Sequence, residues 1–209
     1  MITVLAVNIG KAEAIGAKSG LSGINKCPQA GRIAIDRYGL VGDAIVDTDN
    51  HGGVDQAVYL YADEDYDWFE AELERWFAPG TFGENLTIAG IGSKAVAVGD
   101  RLIGDSGLVL EVTSPRIPCE TFAAHMDDPG FPRRFMRANR TGFYCRVLTP
   151  GSIEEGEALT FMPWSGPRVP IIEMVEEYAG TKELSEDDVT RFLAAPVHHK
   201  LRARLLKHP

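Results

Sequence analysis

The sequence predicts a mainly β protein with some α: a β-barrel with covering helices, followed by a short C-terminal helical segment. Three observations predict it. From Met1 to about Phe161, short runs rich in Val, Ile and Tyr alternate with turn residues. One amphipathic stretch, Asp63 to Phe77, interrupts those runs. After Pro163-Trp164-Ser165-Gly166-Pro167 the apolar spacing becomes helical. The barrel is assigned to residues 1–164 and the helices to residues 165–209. A chain of 209 residues fits one domain with a small appendage.

The strands follow in order. Met1 to Asn8 reads as a first strand, because it lacks a basic leader and its apolar run is too short for a signal segment. Ile33 and Ile35 alternate with polar neighbours. Ala57 to Tyr61, Ala95 to Val98, Leu108 to Thr113, Phe143 to Leu148 and Ala158 to Phe161 are further strand candidates. Gly42-Asp43, Gly99-Asp100, Gly104-Asp105 and Pro150-Gly151 supply the turns between them.

The helices follow from spacing. Tyr66, Phe69, Leu73, Trp76 and Phe77 share one face of the Asp63–Phe77 stretch, and acidic residues fill its first turn, which suits the helix dipole. Pro79-Gly80 stops it, and the helix is expected to cover one opening of the barrel, its rings in the core. Ile171, Ile172, Met174, Val175 and Tyr178 form the face of a second helix. Ser185-Glu186-Asp187-Asp188 resembles a capping box for a third, with Val189, Phe192 and Leu193 following. Leu201, Leu205 and Leu206 mark a fourth. So short a segment buries little by itself, so these helices pack on the barrel or, in a homodimer, on a second subunit. Lys200, Arg202, Arg204 and Lys207 read as a solvated helix face.

Charge and cysteine content narrow the function. Lys and Arg number 21 against 30 Asp and Glu, a net charge of −9. Such a chain is a poor binder of nucleic acid or anionic membrane, though a local basic pocket can hold a small anion. No apolar run approaches the length of a membrane span. Cys27, Cys119 and Cys145 are odd in number and widely spaced, which points to a reducing cytoplasm rather than a disulfide framework or closed zinc site. The five histidines lack zinc-ligand spacing. Glycine-rich dinucleotide and phosphate-loop patterns are absent.

The stretch Thr113-Ser114-Pro115-Arg116-Ile117-Pro118-Cys119-Glu120 carries the most chemistry. A strand enters a loop stiffened by two prolines, and a helix begins near Cys119. A cysteine at a helix N-terminus, three residues after an arginine, is biased toward thiolate, which is both a nucleophile and a soft metal ligand. The alternative is a small apolar residue at a turn, the description that suits Cys27 and Cys145. His51-Gly52-Gly53-Val54-Asp55 offers backbone N–H groups and an imidazole to an anion, or is simply a surface loop. Asn85, in Phe82-Gly83-Glu84-Asn85-Leu86, can read the edge of a heterocycle or satisfy buried backbone. Lys26 and Arg140 each add a cation beside a glycine turn.

In this order, these segments resemble the MOSC domain family, which is related to the C-terminal part of molybdenum cofactor sulfurase. The resemblance runs from Ser22-Gly23-Ile24-x-Lys26-x-Pro28 through Gly39-Leu40-x-Gly42-Asp43, His51-Gly52-Gly53-x-Asp55 and Phe82-Gly83-Glu84-Asn85-Leu86. Gly99-Asp100, Pro115-Arg116-x-Pro118-Cys119 and Arg140-x-Gly142-x-Tyr144 complete it. The chain is most similar to the YiiM-type bacterial branch, in which a 3-alpha region follows the barrel. Gly156-Glu157 departs from the family's late Gly-Asp turn.

The resemblance implies a MOSC-type β-barrel that binds the molybdenum cofactor, a pterin dithiolene phosphate carrying molybdenum (Mo-molybdopterin). It implies that Cys119 is the catalytic residue and supplies a thiolate to the metal. Lys26, His51, Arg116 and Arg140 would hold the phosphate and pterin. Asn85, Glu84 and the backbone around Gly52, Gly53 and Gly83 would complete the cofactor site, with Glu84 or His51 relaying a proton. The implied activity is reduction of N-hydroxylated small molecules: bases such as 6-hydroxylaminopurine, hydroxylamines or amidoximes. With no flavin, iron–sulfur or nicotinamide motif in the chain, electrons would come from a separate reductase, a flavin or iron–sulfur protein. A cofactor carrier, or a sulfur-handling module with a persulfide on Cys119, uses the same residues. A thiol enzyme with His125 as base is a third reading, although six residues of separation suits a Cys–His pair poorly.

Overall fold

The computed structural model describes residues 1–18, 20–47 and 52–207. In chain order the elements are β1 (Ile2–Gly10), β2 (Glu13–Ala14), β3 (Leu21–Ser22), β4 (Lys26–Pro28), β5 (Ile33–Asp36), β6 (Gly39–Leu40), β7 (Val58–Ala62), α1 (Asp63–Leu73), β8 (Leu86–Ala89), β9 (Arg101–Ile103) and β10 (Val109–Pro115). Then come α2 (Glu120–His125), α3 (Phe131–Ala138), β11 (Phe143–Thr149), β12 (Gly151–Ile153), β13 (Ala158–Met162), α4 (Ile171–Tyr178), α5 (Glu186–Ala194) and α6 (His199–Leu205).

Strand order β13-β9-β10-β11-β7-β8-β1 closes on itself, because β1 also pairs with β13. The result is a seven-stranded barrel in a protein that is mainly β with α. Closure removes the two free edges that an open sheet would expose. All barrel pairings are antiparallel except β7 with β8, which α1 separates in sequence. β4 extends the barrel edge by pairing with the far end of β1, Ile9 opposite Cys27 and Gly10 opposite Lys26. That register carries Lys26 to the cavity described below.

β7 shows how the alternation of a strand divides the interior. Its five residues are all buried. Val58, Leu60 and Ala62 join an aliphatic core with Val4, Leu86, Leu110 and Val112. Tyr59 and Tyr61 join a ring cluster with Tyr66 and Phe69 of α1, Phe122 of α2 and Phe131 and Phe135 of α3. The three helices therefore cover the tyrosine face of β7.

α1 ends earlier than the spacing predicts. Glu74 takes a left-handed conformation (φ 48°), and its N–H bonds back to Glu70. Phe77 still reaches the ring cluster, but Trp76 is 72% exposed and is not a core residue. Ala95–Val98 is not a strand: Ser93–Ala95 forms a 3-10 turn and Ala97 makes a single bridge to Pro170. α3 is a helix not predicted from the sequence, although Phe131 and Phe135, four apart with arginines between them, form its buried face.

The C-terminal helices pack on the barrel of their own chain. Ile171 and Met174 of α4, Phe192 of α5, and Leu201 and Leu205 of α6 belong to the same aliphatic core as the strands. Ser185 caps α5 through a complete capping box with Asp188. Arg202 donates to the carbonyls of Leu193 and Ala195, so it ties α6 to α5 rather than facing only water. Among the described residues, no helix is long and apolar enough to cross a membrane.

Candidate functional site

A cleft opens where β4, the loop after β6, the loop before β8 and the β10–α2 loop converge. Lys26, Gly52, Gly83, Asn85, Arg116 and Cys119 all line it, so the fold brings together residues spread over more than ninety positions of sequence. Asp43, Tyr59 and Tyr144 also line it. His51 lies outside the described residues.

Arg116 leaves the end of β10 just before Pro118 and is 5% exposed. Its guanidinium donates to the Phe82 carbonyl at 2.7 Å. It lies over the Phe122 ring, 3.9 Å from the centroid, and near the rings of Tyr59 and Phe135. Its Nε–H has no partner, and no carboxylate of the described residues forms an ion pair with it. Burial works against its charge, but the neighbouring Tyr59, Tyr144 and Cys119 outweigh it, so the group stays cationic. Aromatic faces steady a cation without neutralising it.

Lys26 differs. Its ammonium meets both carboxylate oxygens of Asp43, and the two side chains are 8% and 6% exposed. Asp43 also accepts from the Gly10 N–H at 2.8 Å and from Asn85 Nδ2 at 2.9 Å. A buried pair of this kind is neutral overall. Among the described lining residues, Arg116 is thus the cation whose charge is left for a guest.

Cys119 is the N-cap of α2, half-buried and in extended backbone conformation. None of the three cysteines forms a disulfide. Cys27 is exposed on β4 and Cys145 is buried in β11, away from the cleft. Gly52 and Gly83 shape the walls. Both have positive φ (75° and 78°), and a Cβ on Gly52 would fall 2.8 Å from Cγ2 of Ile45, so only glycine fits that approach.

Four other predicted site residues behave differently from the expectation. Glu84 is fully buried and does not line the cleft; it accepts from Tyr66 Oη, the Gly80 N–H and Thr87 Oγ1, a network that closes the loop before β8. Burial pushes its carboxyl up despite those donors. Arg140 pairs with the buried Asp65 at 2.7 Å, and Asp65 also anchors Ser93, so this cation braces α1 outside the cleft. Gly53 precedes the 3-10 turn Val54–Gln56 as its N-cap and does not line the cleft. Asn85 does line it, but its amide is occupied: Oδ1 accepts from the Tyr59 N–H, and Nδ2 serves Asp43 and the Asn8 carbonyl. It satisfies buried backbone, the second of the two roles open to it.

His125 Nε2 bonds the Thr81 carbonyl at 2.8 Å, so that nitrogen is engaged with backbone rather than with Cys119. A second titratable cluster, Asp55 with His198 and His199, offers ligand atoms within 4.8 Å of one another. His198 Nδ1, however, accepts from the Lys200 N–H, which leaves its proton on Nε2 and no lone pair there for a metal. Asp55 is filled by the His199 N–H and Nδ1 and by Arg146. This cluster clamps α6 to the loop that carries Gly52.

In the sequence Asp43 falls in a turn and a family motif, and Tyr59 and Tyr144 fall in strands, with no role in the cleft predicted for any of the three. The signal for Asp43 was Lys26 itself: a buried ammonium needs a carboxylate.

The arrangement can hold an anion at Arg116 and present the Cys119 sulfur to whatever the anion carries. Comparison with known proteins bears on what that is. A model of the MOSC domain matches residues 47–160. An uncharacterized protein, YflK of Bacillus subtilis (strain 168), is 35% identical over 162 residues, covering 77% of this chain and 73% of that protein. A protein named "Reductase" from Gibberella moniliformis is 29% identical over 150 residues, covering 70% of this chain but 27% of its own length. Among solved structures, YiiM from Geobacillus stearothermophilus superposes with a TM-score of 0.82 at 26% identity, covering 99% of this chain and 98% of that one.

Proposed function

The chain belongs to the MOSC domain family, a family associated with molybdenum cofactor binding or sulfuration, and from that premise we propose that it is a molybdenum-cofactor-dependent reductase of N-hydroxylated compounds. One observation carries the reading: an uncompensated buried cation, Arg116, lines the same cleft as the half-buried Cys119, in a chain of net charge −9. A pterin phosphate is an anion, and molybdenum with sulfur ligands accepts a thiolate. The donor set therefore fits the group. Its Nε–H is unpartnered, so the guanidinium has hydrogen-bonding capacity left for an incoming oxygen.

In this reading Arg116 holds the anionic end, Cys119 supplies the thiolate, and Gly52 and Gly83 let the backbone approach the pterin. The bound cofactor supplies two-electron redox chemistry. The protein's residues fix where substrate enters and exclude water from the ring-lined floor. Electrons come from a separate flavin or iron–sulfur protein. The fungal relative named a reductase supports redox chemistry as the family activity to test here.

The experiment is elemental analysis of protein from a host that makes the cofactor, wild type beside Cys119→Ser, with turnover of 6-hydroxylaminopurine by an artificial electron donor. The expected result is close to one molybdenum per wild-type chain, turnover of the substrate, and loss of at least about tenfold in metal for Cys119→Ser. Stoichiometric metal without turnover of any N-hydroxylated substrate rejects the reductase and leaves a carrier. Sulfane sulfur on Cys119 without metal points to the sulfur-handling reading.

A further inference from the structure

We propose that the buried Lys26–Asp43 pair delivers protons in the cleft, with Lys26 Nζ as the acid and Asp43 as the residue that positions it. The proposal rests on the reductive reading above and deepens it. Reduction of R–NH–OH to R–NH2 and water breaks the N–O bond and consumes two electrons and two protons. The electrons come from the separate flavin or iron–sulfur donor. One proton goes to the nitrogen, from solvent, and the other to the departing oxygen, which leaves as water; an acid placed in the cleft supplies the second.

Few lining groups can do this. Burial makes the Tyr59 and Tyr144 hydroxyls hold their protons more tightly than usual. Arginine does not release its proton in proteins, and Arg116 is raised further. Cys119 is committed to the metal in the reading above. Glu84, the carboxyl expected from sequence to relay a proton, bonds Tyr66, Gly80 and Thr87 outside the cleft. Of the described lining groups this leaves Lys26 and Asp47, and Lys26 is the one that carries protons to give as an ammonium.

Its geometry suits the task. β4 pairs with β1 so that Lys26 lies opposite Gly10, and the same Gly10 donates its N–H to Asp43. Asp43 is gripped by Gly10, Asn85 and Lys26, so the ammonium is held from a carboxylate that cannot swing away. An ammonium has three N–H bonds. Two meet the Asp43 oxygens, which leaves the third for a guest in the cleft that Lys26 lines. The charged groups facing it come from three loops: Asp43 after β6, Glu84 before β8 and Arg116 after β10. Burial lowers its pKa most, Asp43 and then Glu84 raise it, and Arg116 lowers it; the net result is below the ordinary 10.5. Lysine acids and bases in enzymes are tuned in this direction.

The test uses the molybdenum-loaded protein, Lys26→Arg and Asp43→Asn, with metal content measured on each. An acid must be protonated, so wild-type kcat should fall as pH rises through the Lys26 pKa. Lys26→Arg keeps the charge but cannot give the proton. It should retain molybdenum within about twofold, lose kcat by about 100-fold or more, and lose that basic limb. Asp43→Asn removes the stabilising carboxylate and should move the limb to lower pH. The metal-free protein gives an independent readout: carbon NMR of labelled lysine should show Lys26 titrating below an ordinary lysine, and lower still in Asp43→Asn. Lys26→Arg with wild-type kcat and limb, or Lys26 titrating at 10.5, overturns this role. A wild type that binds molybdenum but reduces no N-hydroxylated substrate overturns the reductase reading, and this role with it. If the variants lose the metal, the NMR titration decides.

Discussion

On one face of β7, Val58, Leu60 and Ala62 join an aliphatic core that runs from the barrel into α4, α5 and α6; on the other, Tyr59 and Tyr61 join rings from α1, α2 and α3. Buried charge beside the aliphatic side is paired, as Asp100 is with Arg168. The ring side houses a buried arginine and sits against Glu84, whose carboxylate takes the Tyr66 hydroxyl. Aromatic residues bury as much apolar area as aliphatic ones, yet their faces attract cations and tyrosine tips make hydrogen bonds. A protein that must keep a charge both buried and available therefore needs rings, not branched aliphatics, around it. The cleft opens on the ring side.

Four substitutions test that contrast. Phe82 touches Tyr61, Tyr66, Phe69, Phe77, Phe122, Phe131 and Phe135. Phe82→Ala should cost about 3–5 kcal/mol and Leu110→Ala about 2–5 kcal/mol in urea unfolding at 25 °C. Stability alone does not separate the two sides, but metal content should. Phe82→Ala should also lower molybdenum loading, because the Phe82 ring packs on Phe122 and Phe135, the rings that hold Arg116, whereas Leu110→Ala at equal lost stability should not. Equal loading in both would break the contrast.

Arg116→Met should separate function from stability on the ring side itself. An uncompensated buried cation is costly, and replacing it with a group of similar shape and no charge is neutral or stabilising. We expect an unchanged or higher urea midpoint together with at least a tenfold fall in molybdenum per chain. A destabilised variant that still loads metal would show that Arg116 serves packing instead.

The smallest effect belongs to the seam between the aliphatic core and α6. Burial, followed by the charge of His199, lowers the pKa of His198 to about 4. Between pH 4 and 6.5 the unfolded chain binds a proton that the folded one does not. This contribution to stability is therefore full above the unfolded value and is lost as pH falls toward 4. Unfolding midpoints should drop across that window, and His198→Gln should flatten the dependence. Asp55 titrates below it: burial raises its carboxyl, but the His199 bonds and Arg146 more than offset this, so its share is lost only at lower pH.

Much of the architecture was legible because strands and helices write their period into the sequence. The runs around Ile33, Val58, Leu110, Phe143 and Ala158 all became strands, and the capping box at Ser185 formed as read. Trp76 was misplaced because a helix ends where the backbone turns left-handed at Glu74, five residues before the proline that seemed to stop it. In the cleft, motif residues Lys26, Gly52, Gly83, Arg116 and Cys119 were legible as chemistry. Glu84 and Arg140 look equally reactive in a string of letters, since nothing local says that Tyr66 or Asp65 will consume their hydrogen bonds or charge.

By itself, then, the sequence determined most of the longer strands and the C-terminal helices, the soft thiol three residues after an arginine, and the motif order of the family, because each depends on neighbours a few residues apart. Only the tertiary structure decided which cations stay unpaired. Pairing depends on contacts across long separations: Lys26 meets Asp43, Arg140 meets Asp65 seventy-five positions away, and Arg116 meets rings instead of a carboxylate. Charge compensation falls steeply with distance in space and is indifferent to distance along the chain, so it is settled only when the chain has closed.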